Sequence, residues 1–350
     1  MSWRLCRLGD VLTLKRGHDL PEHSRQDGDV PVVSSSGITG YHKEPKATAP
    51  GVVTGRYGTL GEVFFLDRDY WPLNTALYIV DFKGNDPRFS AYFLKHALKD
   101  YQSDKAAVPG VDRNVLHELR VRAPDVTTQL RIASILSTYD DLIENNRRRM
   151  ALLEESARLL YREWFVRLRF PGHEHTRIID GVPEGWERMT LGSRVTLNYG
   201  KALKADDRIE GPFPVYGSSG VVGSHEKALV SGPGIIVGRK GNVGSVYWCA
   251  QDFYPIDTVY FIDAVTSNLY LYYALKHMHF ISTDVAVPGL NRDFAYSRPF
   301  LLPTESILRN FLETVFPIHE QLNKLDEINQ KLRAARDLLL PRLMSGEIAV

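Results

Sequence analysis

Two arginines stand directly behind glycines in closely spaced glycine clusters: Arg56 in GRYGTLG (Gly55–Gly61) and Arg239 in GRKGNVG (Gly238–Gly244). A guanidinium so placed reaches a phosphate, or grips a guanine edge through two parallel hydrogen bonds, and glycine lets backbone approach a ligand closely. The competing reading is a strand, a tight turn and a strand with an arginine on the surface. Two further arginines follow Pro-Gly turns, Arg113 in VPGVDR and Arg292 in VPGLNR. SSSG (Ser34–Gly37) and GSSG (Gly217–Gly220) offer the hydroxyls of Ser35, Ser36, Ser218 and Ser219, with His42 and His225 following. These stretches suit phosphate or base-edge contacts; equally, they are turns with serine caps. Lys15, Arg16 and Lys201 lie beside matching glycines and add attraction for a phosphate backbone. Tyr57 answers Lys240, and Thr59 answers Asn242, as residues reading different bases would. The candidate nucleic-acid contacts are therefore Lys15, Arg16, Ser35, Ser36, Arg56, Tyr57, Arg113, Lys201, Ser218, Ser219, Arg239, Lys240 and Arg292.

A search for catalytic groups returns little. There is no GxxxxGK[ST] phosphate loop: Gly200-Lys201 is followed by Ala202. No GxSxG elbow and no Asn-Pro-Pro-Tyr motif for amino methylation occur. The His173/His175 and His277/His279 pairs lack a third plausible ligand. Glu44 and Lys46 with Asp29 upstream can be forced into a nuclease pattern of two carboxylates and a lysine. The positions aligned with Glu44–Lys46 are Lys227, Ala228 and Leu229, which keep no such chemistry.

These features come in pairs because the chain is one design written twice. Residues 3–78 and 186–261 read in register at an offset of 183, Trp3 against Trp186. The offset also matches Gly9 with Gly192, Gly17 with Gly200, Pro31 with Pro214 and His42 with His225. GVVTGRYGTLGEV meets GIIVGRKGNVGSV. Later the offset drifts, to 181 for the two LKH triplets (Leu94 against Leu275) and 179 for the VPG arginines (Arg113 against Arg292). Equal glycine frames with unequal residues between them predict one scaffold presenting two different reading surfaces.

The elements that must hold these surfaces follow from periodicity. Stretches such as GVVTGRYGTLGEVFFL predict short strands and tight turns. LYIVDF and VYFIDA predict buried strands, and SAYFLKHALKDY and NLYLYYALKHMHF short helices. Each copy is thus predicted to be an α/β domain of mixed sheet, ending near Pro124 and Pro303. Between Gln129 and Phe165 there is no proline or glycine. Apolar residues recur there in alternating steps of four and three: Ile132, Leu136, Tyr139, Ile143, then Asn146, Met150, Leu153, Ala157, Leu160 and Trp164. That is a heptad seam with one polar member, Asn146, of the kind that fixes register. Such a helix is roughly 55 Å long and needs a partner helix along its seam. After Pro317, Leu325, Ile328, Leu332, Ala335 and Leu339 supply a second seam. The domain reading is 1–125 and 186–303 for the globules, 126–170 and 304–350 for the helical regions, and 171–185 for a linker rich in Gly, Pro and charge. An antiparallel helix pair would relate the copies by an approximate two-fold axis, matching the local two-fold of duplex DNA.

Composition sets outer limits. The chain has 350 residues, 43 Lys+Arg against 42 Asp+Glu, so any basic footprint is local or shared with a partner. Two cysteines, Cys6 and Cys249, at unmatched positions imply neither a disulfide framework nor a zinc site. The first residues do not read as a secretion signal, and no run approaches a membrane span. The expected setting is the cytoplasm.

The layout resembles the specificity subunit of a type I restriction–modification enzyme, across essentially the whole chain. The marks are a globule ending before APDVTTQLRIASILSTYDDLIENNRRRMALLEESARLLYREWF, PEGWE opening a second globule, and HEQLNKLDEINQKLRAARDLLLPRLMSGEI at the end. D-x-x-I (Asp140–Ile143), L-L-E (Leu152–Glu154), the W-F pair and the final L-x-S-G-E-I are similar to that family's helical regions. The resemblance implies two target recognition domains, each reading half of a split double-stranded DNA site. It implies helices that act as spacer and as docking place for two modification subunits, which carry S-adenosylmethionine, with restriction subunits further out. It implies a chain that is itself non-catalytic and holds no cofactor. The rival readings are a nuclease or methyltransferase with its own active site, and a coiled-coil adaptor without DNA binding.

Overall fold

The computed structural model describes residues 3–56, 61–99, 111–278, 280 and 289–350. By its backbone contacts the chain divides into two units, Met1–Arg147 with Asp326–Val350, and Arg148–Leu325.

In the first unit, strand Trp3–Arg7 pairs antiparallel with Arg120–Pro124. The next strands build two further sheets, with Gly51–Gly55 buried along its whole length. A four-stranded antiparallel sheet takes Thr13–Arg16, Ala76–Asp81, Gly51–Gly55 and Val63–Leu66 in that spatial order. A three-stranded sheet sets Val30–Ser34 between Gly37–His42, antiparallel, and Trp71–Pro72, parallel. Helix Pro87–Leu98 starts where the Asp86 carboxylate accepts from Phe89 N at 2.7 Å, with proline in the first turn. A short helix, Arg113–Glu118, is capped by Asp112, which accepts from Asn114 N at 2.8 Å. Leu8, Leu14, Phe89, Leu94 and Leu116 form the core. Ile132 and Leu136 from the long helix Val126–Tyr161 join it, with Leu340, Leu343 and Met344 from the C-terminal helix Glu305–Ser345. A fully buried side chain of this size stabilises by about 1.5–3 kcal/mol.

From Glu187 onward the second unit repeats the first strand for strand. Its four-stranded sheet orders Asn198–Tyr199, Val259–Ile262, Gly234–Gly238 and Val246–Cys249. Its three-stranded sheet sets Phe213–Gly217 between Gly220–His225 and the parallel Tyr254–Pro255. Glu187–Thr190 pairs with Pro299–Leu302. The ladder irregularity between Val32 and Val33 recurs between Val215 and Tyr216. Asn268 and Asn291 cap the helices Leu269–His277 and Arg292–Tyr296, accepting from Leu271 N and from Asp293 N. Tyr270, Tyr273, Phe311 and Val315 lie in a core with Ala157, Tyr161 and Phe165.

The repeated glycines explain themselves here. A methyl on Gly17 would stand 2.1 Å from the Leu73 carbonyl oxygen, and one on Gly200 would stand 2.0 Å from that of Ile256. Gly37 and Gly220 hold φ of +98° and +97°, with an aromatic ring, Phe64 or Tyr247, beneath.

The predicted helix seams meet the structure unevenly. In the first long helix, Ile132, Leu136, Ile143, Asn146 and Ala157 are buried. In the C-terminal helix Leu325 is buried, but Ile328 is 39% exposed and Asn329 takes the inner position. The predicted seam member Ile328 is thus displaced by one residue. Asn329 is buried because its Oδ1 accepts from Asn146 Nδ2 at 2.9 Å. The C-terminal helix also runs through Pro317 without a break. The stretch 171–185, predicted as linker, contains the short helix His173–His175 and the paired strands Ile178–Ile179 and Val182–Pro183.

Candidate functional site

The sheet and the short helices of each unit bring the two classes of arginine together. In the second unit Arg239 follows the last residue of strand Gly234–Gly238, and Arg292 opens the helix capped by Asn291. Leu290 N donates to the Arg239 carbonyl at 2.8 Å, tying the two segments side by side. In the first unit Val111 N donates to the Arg56 carbonyl at 2.9 Å, and Arg113 opens the matching helix. Residues that the sequence spaces more than fifty positions apart therefore share one edge in both copies.

Tyr199 organises the cluster in the second unit. It is 53% exposed, and the Arg239 and Arg292 guanidinium carbons each lie 5.3 Å from its ring centroid. The Tyr260 ring packs at 5.1 Å from it, and Tyr260 OH donates to the Leu290 carbonyl. Burial pushes the Tyr260 hydroxyl up to about 12, the Tyr199 hydroxyl adding to the rise, so it stays a donor at neutral pH. Arg239 Nη2 donates to the Asp257 carbonyl at 2.6 Å, which fixes the guanidinium plane. A recess lined by Tyr199, Arg239, Tyr260 and the Leu290–Asp293 turn results. Two held cations beside an accessible ring can take a phosphate and stack a base. Sequence reasoning missed Tyr199 and Tyr260. The one available signal was that Tyr199 precedes the repeated glycine Gly200, at the position of Arg16.

Arg16 pairs across the sheet from Leu77, as Tyr199 pairs from Tyr260. The first unit thus carries Arg16, Arg56 and Arg113 where the second carries Tyr199, Arg239 and Arg292. Lys15 precedes Arg16 in the same strand, so it projects to the opposite face. It lies near His18, whose basicity is lowered by burial and by the charges of Lys46 and Lys15. His117 is likewise lowered by burial, then by Arg113 and Lys83, and it accepts from Leu14 N at 2.9 Å.

The serine turns are built into the frame. Ser34 Oγ bonds Ser36 Oγ at 3.0 Å and accepts from Ser36 N, leaving Ser35 half-buried and Ser36 exposed. In the second unit the Ser218 carbonyl accepts from Ser245 Oγ at 2.6 Å and Tyr247 OH at 3.2 Å, which draws this turn against the loop after Arg239. Ser219 is exposed at the turn. Lys201 is exposed, its amide donating to the Pro255 carbonyl. Lys240 is exposed and bridges Gly289. Tyr57 lies outside the described residues, as do Val108–Gly110, Val287–Pro288 and His279.

The shared histidine offered as a phosphate contact is instead internal. His42 and His225 are buried, and their Nδ1 atoms accept from Gln26 N and Ile209 N, both at 3.1 Å. The ring edges meet Trp71 and Tyr254. Each histidine latches the loop before its sheet, a demand no sequence pattern separates from ligand binding.

Among the described residues no group of three or more His, Cys, Asp or Glu could hold a metal ion. No described helix is long and apolar enough to cross a membrane.

Comparison with known proteins gives a consistent set. A family model of the type I restriction modification DNA specificity domain matches residues 2–155. The type I restriction enzyme MjaIX specificity subunit of Methanocaldococcus jannaschii is 25% identical over 299 residues, spanning 75% of this chain and 68% of that one. The EcoprrI specificity subunit of Escherichia coli is 26% identical over 141 residues, 39% of this chain and 35% of that one. The HindI specificity subunit of Haemophilus influenzae is 22% identical over 385 residues, covering 82% and 84%. In fold, the chain is similar to the crystal structure of a type I restriction-modification S subunit from M. genitalium. The TM-score is 0.59 at 19% identity, over 98% of this chain and 96% of that one.

Proposed function

We propose that the chain is a specificity subunit of a type I restriction–modification enzyme, a reading supported by the specificity-domain model over residues 2–155 and by the similar specificity subunits, and that it reads a bipartite, asymmetric site on double-stranded DNA, one half-site per copy. The observation that carries this reading is the repeated arginine edge. Arg56 with Arg113, and Arg239 with Arg292, are tied by the same backbone bond, while the residue beside them changes from Arg16 to Tyr199. Equal frames give equal backbone approach; unequal side chains give different base preference. The candidate contacts are Lys15, Arg16, Ser35, Ser36, Arg56, Tyr57 and Arg113 for one half-site. For the other they are Lys201, Ser218, Ser219, Arg239, Lys240 and Arg292, with Tyr199 added. Near-neutral net charge leaves the attraction to these local edges and to partners.

In this proposal the chain is non-catalytic. Two modification subunits dock on its helices and bring S-adenosylmethionine, restriction subunits join them, and the assembly works in the cytoplasm. The two long helices pair antiparallel as a spacer between the recognition domains 1–125 and 186–303, giving an internal approximate two-fold. Contacts inside each unit support the pairing. Asn146 meets Asn329 and Asp140 meets Arg336, so rising numbers on one helix meet falling numbers on the other. Tyr161 and Phe165 likewise meet Phe311.

The test is to express the chain with its modification partner and map methylated bases genome-wide. Exchanging residues 1–125 for those of a relative should change one half of the target and leave the other. Change in both halves, or in neither, would refute independent reading.

A further inference from the structure

Within the packed interior, the second unit has a ring at Tyr272 where the first unit has none. In the second unit Tyr272 is buried against four neighbours. Its ring lies 6.2 Å from Trp248, 4.9 Å from Tyr273 and 5.8 Å from His319, and its hydroxyl accepts from Lys276 Nζ at 3.1 Å. The repeat gives each neighbour a counterpart in the first unit. Trp248 answers Phe65 at the strand offset of 183, and Tyr273 and Lys276 answer Tyr92 and Lys95 at the LKH offset of 181. His319 answers Asp140 at the offset of 179 that also relates Arg113 and Arg292. The structure supports this matching independently. Tyr273 OH bonds His319 at 2.8 Å, and Tyr92 OH donates to Asp140.

Tyr272 itself answers Ala91. Where the second unit holds a phenol ring, the first has a methyl group and a cavity of about 320 Å³. Phe65, Ala91, Tyr92, Lys95, Asp140 and Leu340 are among its walls. These include the counterparts of all four residues that surround Tyr272. The carboxylate of Asp140 is already engaged by Tyr92 and Arg336. Lys95, whose counterpart holds the Tyr272 hydroxyl, makes no hydrogen bond or ion pair among the described residues. The space is ample, since an apolar cavity of about 150 Å³ already holds a benzene ring.

We propose that this cavity binds one para-substituted phenol ring supplied from outside the unit, seated where the second copy keeps Tyr272, with its hydroxyl accepting from Lys95. A free small phenol and the tyrosine side chain of a bound polypeptide share this chemistry. The site needs only the first unit and no DNA, so it stands apart from the half-site reading.

Titration of the full-length chain with p-cresol, read on the methyl signals of Val63 and Leu340, tests it. Wild type should give saturable shifts at both. Ala91→Tyr fills the cavity from within and should abolish them. Lys95→Met should weaken them. Tyr272→Ala opens the equivalent space in the second unit and should add a second saturable site, read at Val246. N-acetyl-tyrosine amide separates the sources. Binding of both compounds favours a polypeptide tyrosine, and binding of p-cresol alone favours a free phenol. The proposal is overturned if wild type shows no saturable shift with p-cresol, or if Ala91→Tyr binds it undiminished. Should Ala91→Tyr fail to fold, the absence of a second site in Tyr272→Ala overturns it equally.

Discussion

Replacing His319 by glutamine should flatten the acid limb of this protein's stability. His319 is buried, and its Nε2 shares a hydrogen bond with the Tyr273 hydroxyl at 2.8 Å. Burial holds its basicity down, from the usual 6.5 to about 4; Glu154 works against that shift and Lys276 with it. Tyr272 and Trp248 pack on the ring. The sign follows from the depressed value. Above pH 6.5 the ring is neutral in both folded and unfolded chains, and its contribution is fully present. As pH falls below 6.5 the unfolded chain takes up a proton that the folded one refuses until about 4, so stability is lost across that window. Each pKa unit is worth about 1.4 kcal/mol, so between about pH 7.5 and 4.5 wild type should lose about 2.5 kcal/mol through this residue alone. His319→Gln keeps a polar partner for Tyr273 and has no proton to take up. Urea unfolding of both proteins at the two pH values, followed by tryptophan fluorescence, gives the difference. Other groups titrate in both proteins and cancel. Equal losses in wild type and variant would refute the reasoning, as would a histidine proton signal for residue 319 that titrates near 6.5.

Other consequences are checked more briefly. Asn146→Leu removes the 2.9 Å bond to buried Asn329 and should cost about 1–3 kcal/mol in chemical denaturation, while the double leucine variant should recover most of that loss. Gly200→Ala drives a methyl to 2.0 Å from the Ile256 carbonyl oxygen and should lower stability by about 1–3 kcal/mol or more by calorimetry. Arg292→Ala should cost about 1–3 kcal/mol of DNA affinity and relax one base position if the contact is a bidentate base contact, whereas a uniform loss with a shallower salt slope would mark a phosphate contact; Arg239→Ala should behave alike. Four residues, close to one turn of about 5.4 Å, inserted after Arg149 should lengthen the gap between half-sites by about one to two base pairs, as methylation mapping would reveal.

Much of the frame was legible because glycine and proline leave little freedom. The offset of 183 carries unchanged from Trp3 to the end of the strand opened by Val63, since the close approaches at Gly17 and Gly200 tolerate no side chain and no slip. The polar seam member Asn146 was equally readable from residue type. Two failures have physical causes. Ile328 fits the C-terminal seam by its apolar character, yet the inner position belongs to Asn329, whose amide has a partner on the other helix. A single sequence shows an asparagine and not its partner. His42 and His225 sit among serines and glycines exactly as ligand-binding histidines would, and only their bonds to Gln26 N and Ile209 N reveal loop latches. Tyr199 escaped because its value arises from two arginines distant in sequence closing on one ring.

The first unit draws on two stretches that leave the ribosome at very different times, Met1–Arg147 and Asp326–Val350. Its core around Leu8 and Ile132 is completed by Leu340, Leu343 and Met344, and the indole of Trp3 lies against Gly346. The second unit is one unbroken stretch, Arg148–Leu325. At about 5–20 residues per second of synthesis, the earlier stretch waits on the order of ten to forty seconds for its missing piece. Throughout that interval the nascent chain carries an uncovered apolar face on the helix that begins at Val126, while the later-made unit already has everything it needs to close. Birth order and folding order are therefore inverted: the half made first is the half finished last.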